Sequence, residues 1–326
     1  MIQNLTKTKV VGVDISYELT MYAIVDIRGN ILAKESFPTT EDPDFNNYIS
    51  NLCERIVALI EQNVGYEDIR SIGVSVVSGN FMTGSIEDAS NLPWKGSIPL
   101  AALMRDRLGL AVAIGNDAHI RALGEASYGC AHGMKDFIFL VLGHGIGSCI
   151  FSNGHAYLGN DGFAGEIGHA CVDPLGRLCT CGNQGCLEAY CATRGIIETA
   201  RELMASSDKP SLMRDCPDLT PKFITECCEK GDELAIEVYR ITGTYLGLGL
   251  ANYASVINPE AIILTGGISK AGKWLLEPTD EVFERHIFKN TEGKVKIMRS
   301  TLSENERNVL GASALAWSVK EYSLFT

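Results

Sequence analysis

Val10-Val11-Gly12-Val13-Asp14-Ile15, followed by an apolar run at 22–26, the turn Arg28-Gly29-Asn30 and a third run at 31–37, decides how this chain begins to fold. Each run is short, rich in β-branched residues and bounded by polar or glycine turns, which predicts a meander of three strands. A weaker copy follows at 137–142, the turn Gly143-His144-Gly145-Ile146-Gly147, then 149–151, with Asn153-Gly154 as its next turn. Two such meanders predict a duplicated fold. Amphipathic helical patterns lie at 45–62, 118–128, 195–204, 233–256 and 312–320, and further strands at 71–76, 111–114 and 261–264. Alternation of this kind predicts an α/β class in which helices cover mixed sheets. Residues 210–221, polar and rich in chain breakers, read as a surface connection.

The 326 residues allow two domains or one large one, and 46% apolar with 21% charged residues is the balance of an ordinary globular protein. A formal charge of -12 argues against a nucleic-acid partner, whose phosphates draw most of their affinity from clustered Lys and Arg. The longest apolar stretches, such as 137–142, are far too short for a membrane span, and residues 1–9 lack the apolar core of a signal peptide. A cytoplasmic protein is expected. Its eleven cysteines are then reduced thiols, apart from any that bind metal.

Three of them fall in one pattern. Gly165-Glu166-Ile167-Gly168-His169 followed by Cys179-Thr180-Cys181-Gly182-Asn183-Gln184-Gly185-Cys186-Leu187-Glu188 offers three thiols and one imidazole. That is a full tetrahedral zinc shell with His169, Cys179, Cys181 and Cys186 as ligands, hence a structural knot with no open position for water. Closing it should aim Glu166 and Glu188 at one cavity.

Gly115-Asn116-Asp117-Ala118 stands where an apolar strand gives way to a helix, the place where α/β sheets present catalytic carboxylates. Asp117 is the candidate general base, since a fixed carboxylate can accept a sugar hydroxyl's proton as the bond to phosphorus forms. Helix capping by Asn116 or Asp117 is the alternative, and the two roles are compatible. Gly79-Asn80, Asn91, Glu166 and Glu188 supply amides and carboxylates that suit vicinal hydroxyls. One nitrogen of His169 can bind zinc while the other meets the ligand or an orienting acceptor. For phosphate, the Gly143–Gly147 turn permits close approach of backbone amides, and Thr265-Gly266-Gly267 offers a flat nucleotide contact. Gly267-Ile268-Ser269-Lys270-Ala271-Gly272-Lys273 nearly spells a P-loop, but Trp274 replaces the hydroxyl that would hold magnesium, so the match is read as coincidence.

Taken together, the first strand, Asn91-Leu92-Pro93-Trp94, Asn116-Asp117-Ala118, the Glu-x-Gly-His and cysteine cluster, Asn258-Pro259-Glu260 and Thr265-Gly266-Gly267 resemble the ROK family of sugar kinases, and within it the bacterial glucokinases. The resemblance covers nearly the whole chain. It implies an actin-like (ribonuclease H-like) two-domain fold with a duplicated mixed-sheet core. Residues 1–117, joined by a C-terminal helix at about 311–326, would form the small domain and 118–310 the large one. It further implies a hexose and ATP with Mg2+ as substrates, a sugar cleft between the domains, a structural Zn2+ and a homodimer. By position Asp117 matches the family's base. Gly79, Asn80, Asn91, Asn116, Glu166, His169 and Glu188 match its sugar ligands, and Asp14, Gly143, His144, Gly145, Thr265, Gly266 and Gly267 its nucleotide contacts.

Two departures stand out. Asp14-Ile15-Ser16-Tyr17-Glu18 replaces the usual Asp-x-Gly-Gly-Thr of the first hairpin, and His144 replaces a threonine in the second. The sugar side is intact and the phosphate side altered, so the expected function is a glucokinase-like hexokinase, with a catalytically weak sugar sensor or regulator as the alternative. A DNA-binding repressor of this family would need a winged-helix head, for which the nine residues before Val10 leave no room.

Overall fold

The computed structural model describes residues 7–89, 92–303 and 306–319. Two compact units divide the chain. The first holds 1–133, 159–162 and 301–326, and the second holds 134–158 and 163–300.

In the first unit β1 (Lys9–Ile15), β2 (Leu19–Asp26) and β3 (Ile31–Pro38) form the expected meander. With β4 (Ile69–Val76) it makes a sheet that continues past the small three-stranded sheet of β5 (Gly79–Asn80), β6 (Ser85–Glu87) and β7 (Ser97–Ile98) to β8 (Ala111–Gly115). The strand order is β3-β2-β1-β4-β8, antiparallel through β1 and parallel beyond it. Helix α1 (Phe45–Asn63) begins where the Asp44 carboxylate accepts the N–H groups of Asn46 and Asn47. It buries Tyr48, Ile49, Leu52, Ile56, Leu59 and Ile60 at helical spacing. Truncating a fully buried member such as Ile56 to Ala should cost about 2–5 kcal/mol. Helix α2 (Leu100–Leu108), which was not expected, closes the same core.

The other face of this sheet carries α3 (Asp117–Tyr128) and the last helix, Arg307–Ser318. Gly12 and Gly73 make that packing possible, because a Cβ at either would stand 2.2 Å from the Val309 carbonyl or 1.9 Å from that of Ala312. The last helix starts and stops earlier than the 312–320 pattern suggested, and residues 320–326 lie outside those described. Because α3 packs on this helix, the compact units part after Gly133, beyond the boundary at 117 read from sequence.

The second unit repeats the arrangement. β9 (Phe137–Leu142), β10 (Ile146–Ser152), β11 (His155–Ala156), β12 (Ala261–Thr265) and β13 (Lys296–Arg299) run in the order β11-β10-β9-β12-β13, antiparallel up to β9 and parallel after it. Between β11 and β12 come α4 (Glu188–Cys191), α5 (Thr193–Ser206), α6 (Pro221–Glu229) and α7 (Glu233–Ile257), and α8 (Lys273–His286) precedes β13. Asp232 caps α7 through the N–H groups of Leu234 and Ala235, and Asn258 ends it in the left-handed conformation, φ 52°. Among the described residues no helix is long and apolar enough to cross a membrane.

Candidate functional site

In the first unit the residues read from the sequence fall on strand ends and the helix after β8. Asn116 is the N-cap of α3, its Oδ1 accepting the Ala118 N–H at 3.0 Å, and Asp117 is the first helical residue. The capping alternative therefore holds for Asn116, while the half-buried Asp117 carboxylate is directed elsewhere. Its Oδ2 lies 3.3 Å from Arg121 Nη2, one turn along α3. Arg121 Nε donates to Asn308 Oδ1 at 2.9 Å, and Asn308 Nδ2 donates to Asp14 Oδ2 at 2.8 Å. A continuous chain, Asp117–Arg121–Asn308–Asp14, thus fixes both carboxylates. Burial raises the Asp14 carboxyl above its ordinary range, opposed by the Asn308 bond and the Arg121 charge.

Arg121 and Asn308 escaped the sequence reading. Arg121 could have been found as the i+4 partner of Asp117, but Asn308 is 187 residues from Arg121 and carries no local signal. Gly79 packs against the end of β8, where a Cβ would stand 2.8 Å from the Gly115 carbonyl. Asn80 holds the following turn, accepting the Met82 N–H at 2.9 Å and donating to Glu87 at 3.1 Å. Asn91 lies outside the described residues.

The β1–β2 turn is closed by the Ser16 N–H on the Leu19 carbonyl at 3.1 Å and reinforced by a side chain. Ser16 Oγ donates to the Leu19 carbonyl at 2.8 Å and accepts the Leu19 N–H at 3.1 Å. Tyr17 and Glu18 at its tip are exposed, Tyr17 by 57%.

In the second unit Glu188 opens α4 and is held on both oxygens. Oε2 accepts the Ile146 N–H at 2.8 Å, and Oε1 accepts the Thr180 hydroxyl at 3.1 Å. Its carboxylate lies against Gly145, where a Cβ would come within 2.7 Å of Oε2. Gly145 therefore does two things: it shapes the β9–β10 turn and it makes room for Glu188. The Gly143 N–H is spent on the Gly145 carbonyl at 3.0 Å, whereas the His144 and Gly145 N–H groups meet no acceptor among the described residues. The turn thus retains two amides for an anion.

A cavity of about 700 Å³ opens beside this turn, lined by Gly143, His144, Thr193, Lys222, Gly267 and Lys270 among others. Gly266, at φ 90°, crosses the end of β9, and a Cβ on Gly267 would meet no atom within 4 Å. Packing within the protein does not explain that bare position; a flat ligand laid on the backbone would. Thr265 is buried beneath it. One wall comes from the N-terminal turn of α6, in the stretch read as a surface connection. Its signal was present in Thr220-Pro221, an N-cap with Pro at the first helical position.

His169 Nδ1 faces Cys179 Sγ at 3.7 Å, and Cys181 Sγ faces Cys186 Sγ at 3.7 Å. All four ligand atoms lie within 4.8 Å of one another. A zinc tetrahedron with metal–sulfur bonds of about 2.3 Å has edges of about 3.8 Å, so the set fits that ion. The Asn183 backbone hydrogen bond lowers the Cys181 thiol to about 7, while burial pushes Cys186 up to about 12. Glu166 is exposed at the start of the 3-10 turn Ile167–His169.

The ROK family matches residues 10–319. The chain belongs to the ROK family. It is 33% identical to the glucokinase of Halalkalibacterium halodurans, over 95% of this chain and 94% of that protein. A ROK family glucokinase from Streptomyces griseus, solved in complex with glucose and AMPPNP, superposes with a TM-score of 0.72 at 28% identity, covering 95% of this chain and all of that one. The DNA-binding transcriptional dual regulator NagC of Escherichia coli is 28% identical over 94% of this chain and 74% of its own length. The duplicated sheets are those of the actin-like ROK sugar kinase fold. ROK membership alone leaves both a glucokinase and a transcriptional regulator among the relatives.

Proposed function

We propose that this ROK protein is an ATP-dependent hexokinase acting on glucose or a related aldohexose. The cavity beside the β9–β10 turn carries this reading, because a sugar sensor has no need of a pocket with bare backbone at Gly267 and two unspent amides at His144 and Gly145. Asp117 accepts the proton of the attacking hydroxyl as that oxygen bonds to phosphorus, with Arg121 holding the carboxylate in place. For recognition of sugar hydroxyls the first unit offers Asn80 and Asn116 and the second offers Glu166, His169 and Glu188, with His169 using Nε2 because Nδ1 faces the thiols. Asp14 would hold the magnesium that accompanies ATP, since a carboxyl raised by desolvation gains by meeting a cation.

We also infer one structural zinc on His169, Cys179, Cys181 and Cys186. Metal analysis of protein purified without added zinc should find about one equivalent, and Cys181→Ser should lose it and unfold at lower temperature. Less than about half an equivalent would remove the ion from the account.

The Ser16-closed turn favours a second possibility, a sugar-binding regulator with little or no turnover. A coupled ADP-release assay across a hexose panel, run on the unaltered protein and on Asp117→Asn, separates the two. The kinase reading expects turnover that falls about 10²- to 10⁴-fold in the variant, with sugar affinity kept within an order of magnitude. Sugar binding without turnover at any ATP concentration would move the assignment to the regulator.

A further inference from the structure

Beside the four candidate ligands stands a fifth sulfur. Cys171 and Cys186 face each other across an isolated antiparallel bridge. The flanking hydrogen bonds, Val172 N–H to the Gly185 carbonyl at 2.8 Å and Leu187 N–H to the Ala170 carbonyl at 2.9 Å, make them a non-hydrogen-bonded pair. In such a pair both side chains leave the same face, with Cα atoms about 4.5 Å apart. Disulfides span Cα separations of about 4.4–6.8 Å, so no backbone movement is needed to join them. Cys171 is exposed and Cys186 buried. The Cys171 sulfur leans over Gly185, the neighbour of its partner, 3.2 Å from where a Cβ there would stand, so closing the bond requires that it turn about χ1.

We propose that Cys171 is an oxidation site that closes a disulfide onto the metal ligand Cys186. With hydrogen peroxide as oxidant, the Cys171 thiolate attacks one peroxide oxygen. The O–O bond breaks, hydroxide leaves and a sulfenic acid forms. The Cys186 sulfur then attacks the Cys171 sulfur; the S–O bond breaks, a second hydroxide leaves and the S–S bond forms. The two thiols lose two electrons to the peroxide, and their two protons end in the two waters. Cys186 is then no longer a thiolate donor, and three ligands remain. Glu188 follows two residues later, with its Oε1 on Thr180 inside the same loop, so the change reaches a proposed sugar contact. Only that last consequence rests on the hexokinase assignment.

The test uses reduced, zinc-loaded full-length protein treated with hydrogen peroxide, following zinc release with a chelating dye and mapping disulfides by peptide mass spectrometry. The expected result is zinc release together with a Cys171–Cys186 cross-linked peptide, both reversed by a dithiol and added zinc. Cys171→Ser should bind zinc and melt like the unaltered protein before oxidant, then release zinc about tenfold more slowly or less. Equal release rates in the two proteins overturn the proposal. So does a disulfide between Cys181 and Cys186 in place of the expected one, and so does a Cys171→Ser protein that holds no zinc at the outset. Glucose binding, measured before and after oxidation, is a separate arm: its absence from the reduced protein sinks the sugar reading and leaves the disulfide result standing.

Discussion

The β1–β2 turn and the β9–β10 turn occupy equivalent places in two copies of one strand pattern, yet one is reinforced by a side chain and the other is built on two glycines about His144. In the first, the Ser16 hydroxyl adds two bonds to the backbone bond from its N–H to the Leu19 carbonyl, and Tyr17 and Glu18 project from the tip. In the second, Gly143 and Gly145 flank the exposed His144, and Glu188 fills the space a side chain at Gly145 would have taken. The two five-stranded sheets beneath these turns have the same order of pairing, so the turns differ without a change in the sheet. If the proposed hexokinase reading holds, the carboxylate at the tip of the first turn and the amides of the second act on phosphate in opposite directions, and the expected enzyme is one weak in ATP.

The largest test of this contrast is Gly145→Ala. The added Cβ would fall 2.7 Å from Glu188 Oε2, so the carboxylate or the turn must shift. Displacement of about 1 Å at a positioned group costs roughly 10²-fold in kcat/KM, for hexose and ATP alike. Ser16→Ala, which removes only the closing hydroxyl of the other turn, should stay within about threefold of the unaltered protein. Equal losses in the two variants would break the asymmetry.

Rebuilding the first turn sharpens it from the other side. Ser16→Gly, Tyr17→Gly and Glu18→Thr together remove a bulky ring and a negative charge from its tip. The Michaelis constant for ATP should fall about tenfold at low salt, and by less as ionic strength screens the charge. No change at any salt concentration would mean that this turn does not face the donor.

Much of this was legible in the sequence because it is local. Short β-branched runs bounded by turns marked the strands of both meanders, and the spacing of three cysteines and a histidine marked a cluster with contacts of 3.7 Å. What escaped depends on tertiary packing or on signals too short to stand out. Helices α2 and α8 carry weak or interrupted patterns, Pro278 lying inside α8. Asn308 bonds Asp14 across 294 residues, and nothing in its neighbourhood marks it. Gly145 was readable as a flexible turn residue, but its service to Glu188 appears only once α4 is laid against β10. Asn116 shows that local reading can find a residue and leave its duty double, since its amide caps α3 whatever else it touches.

The smallest expected effect on the fold concerns Asp14, the one proposed nucleotide contact that the altered turn retains. Its folded pKa is raised above the ordinary value of 3.8, chiefly by burial. The folded protein therefore binds that proton more tightly than the unfolded chain, so the ionised carboxylate costs stability above the folded pKa. The cost disappears as pH falls through the folded pKa to below 3.8. Asp14→Asn keeps an acceptor for Asn308 and removes the charge. At neutral pH it should raise Tm by about 2–4 °C per kcal/mol recovered. The gain should shrink as the solution is acidified, and turnover with ATP should be lost. Such a pairing would mark Asp14 as a carboxylate held ionised at the expense of the fold, as expected of a group kept for a cation. A variant that is less stable at neutral pH would instead make Asp14 a structural partner of Asn308, and the first copy of the duplicated sheet would have surrendered its phosphate chemistry entirely.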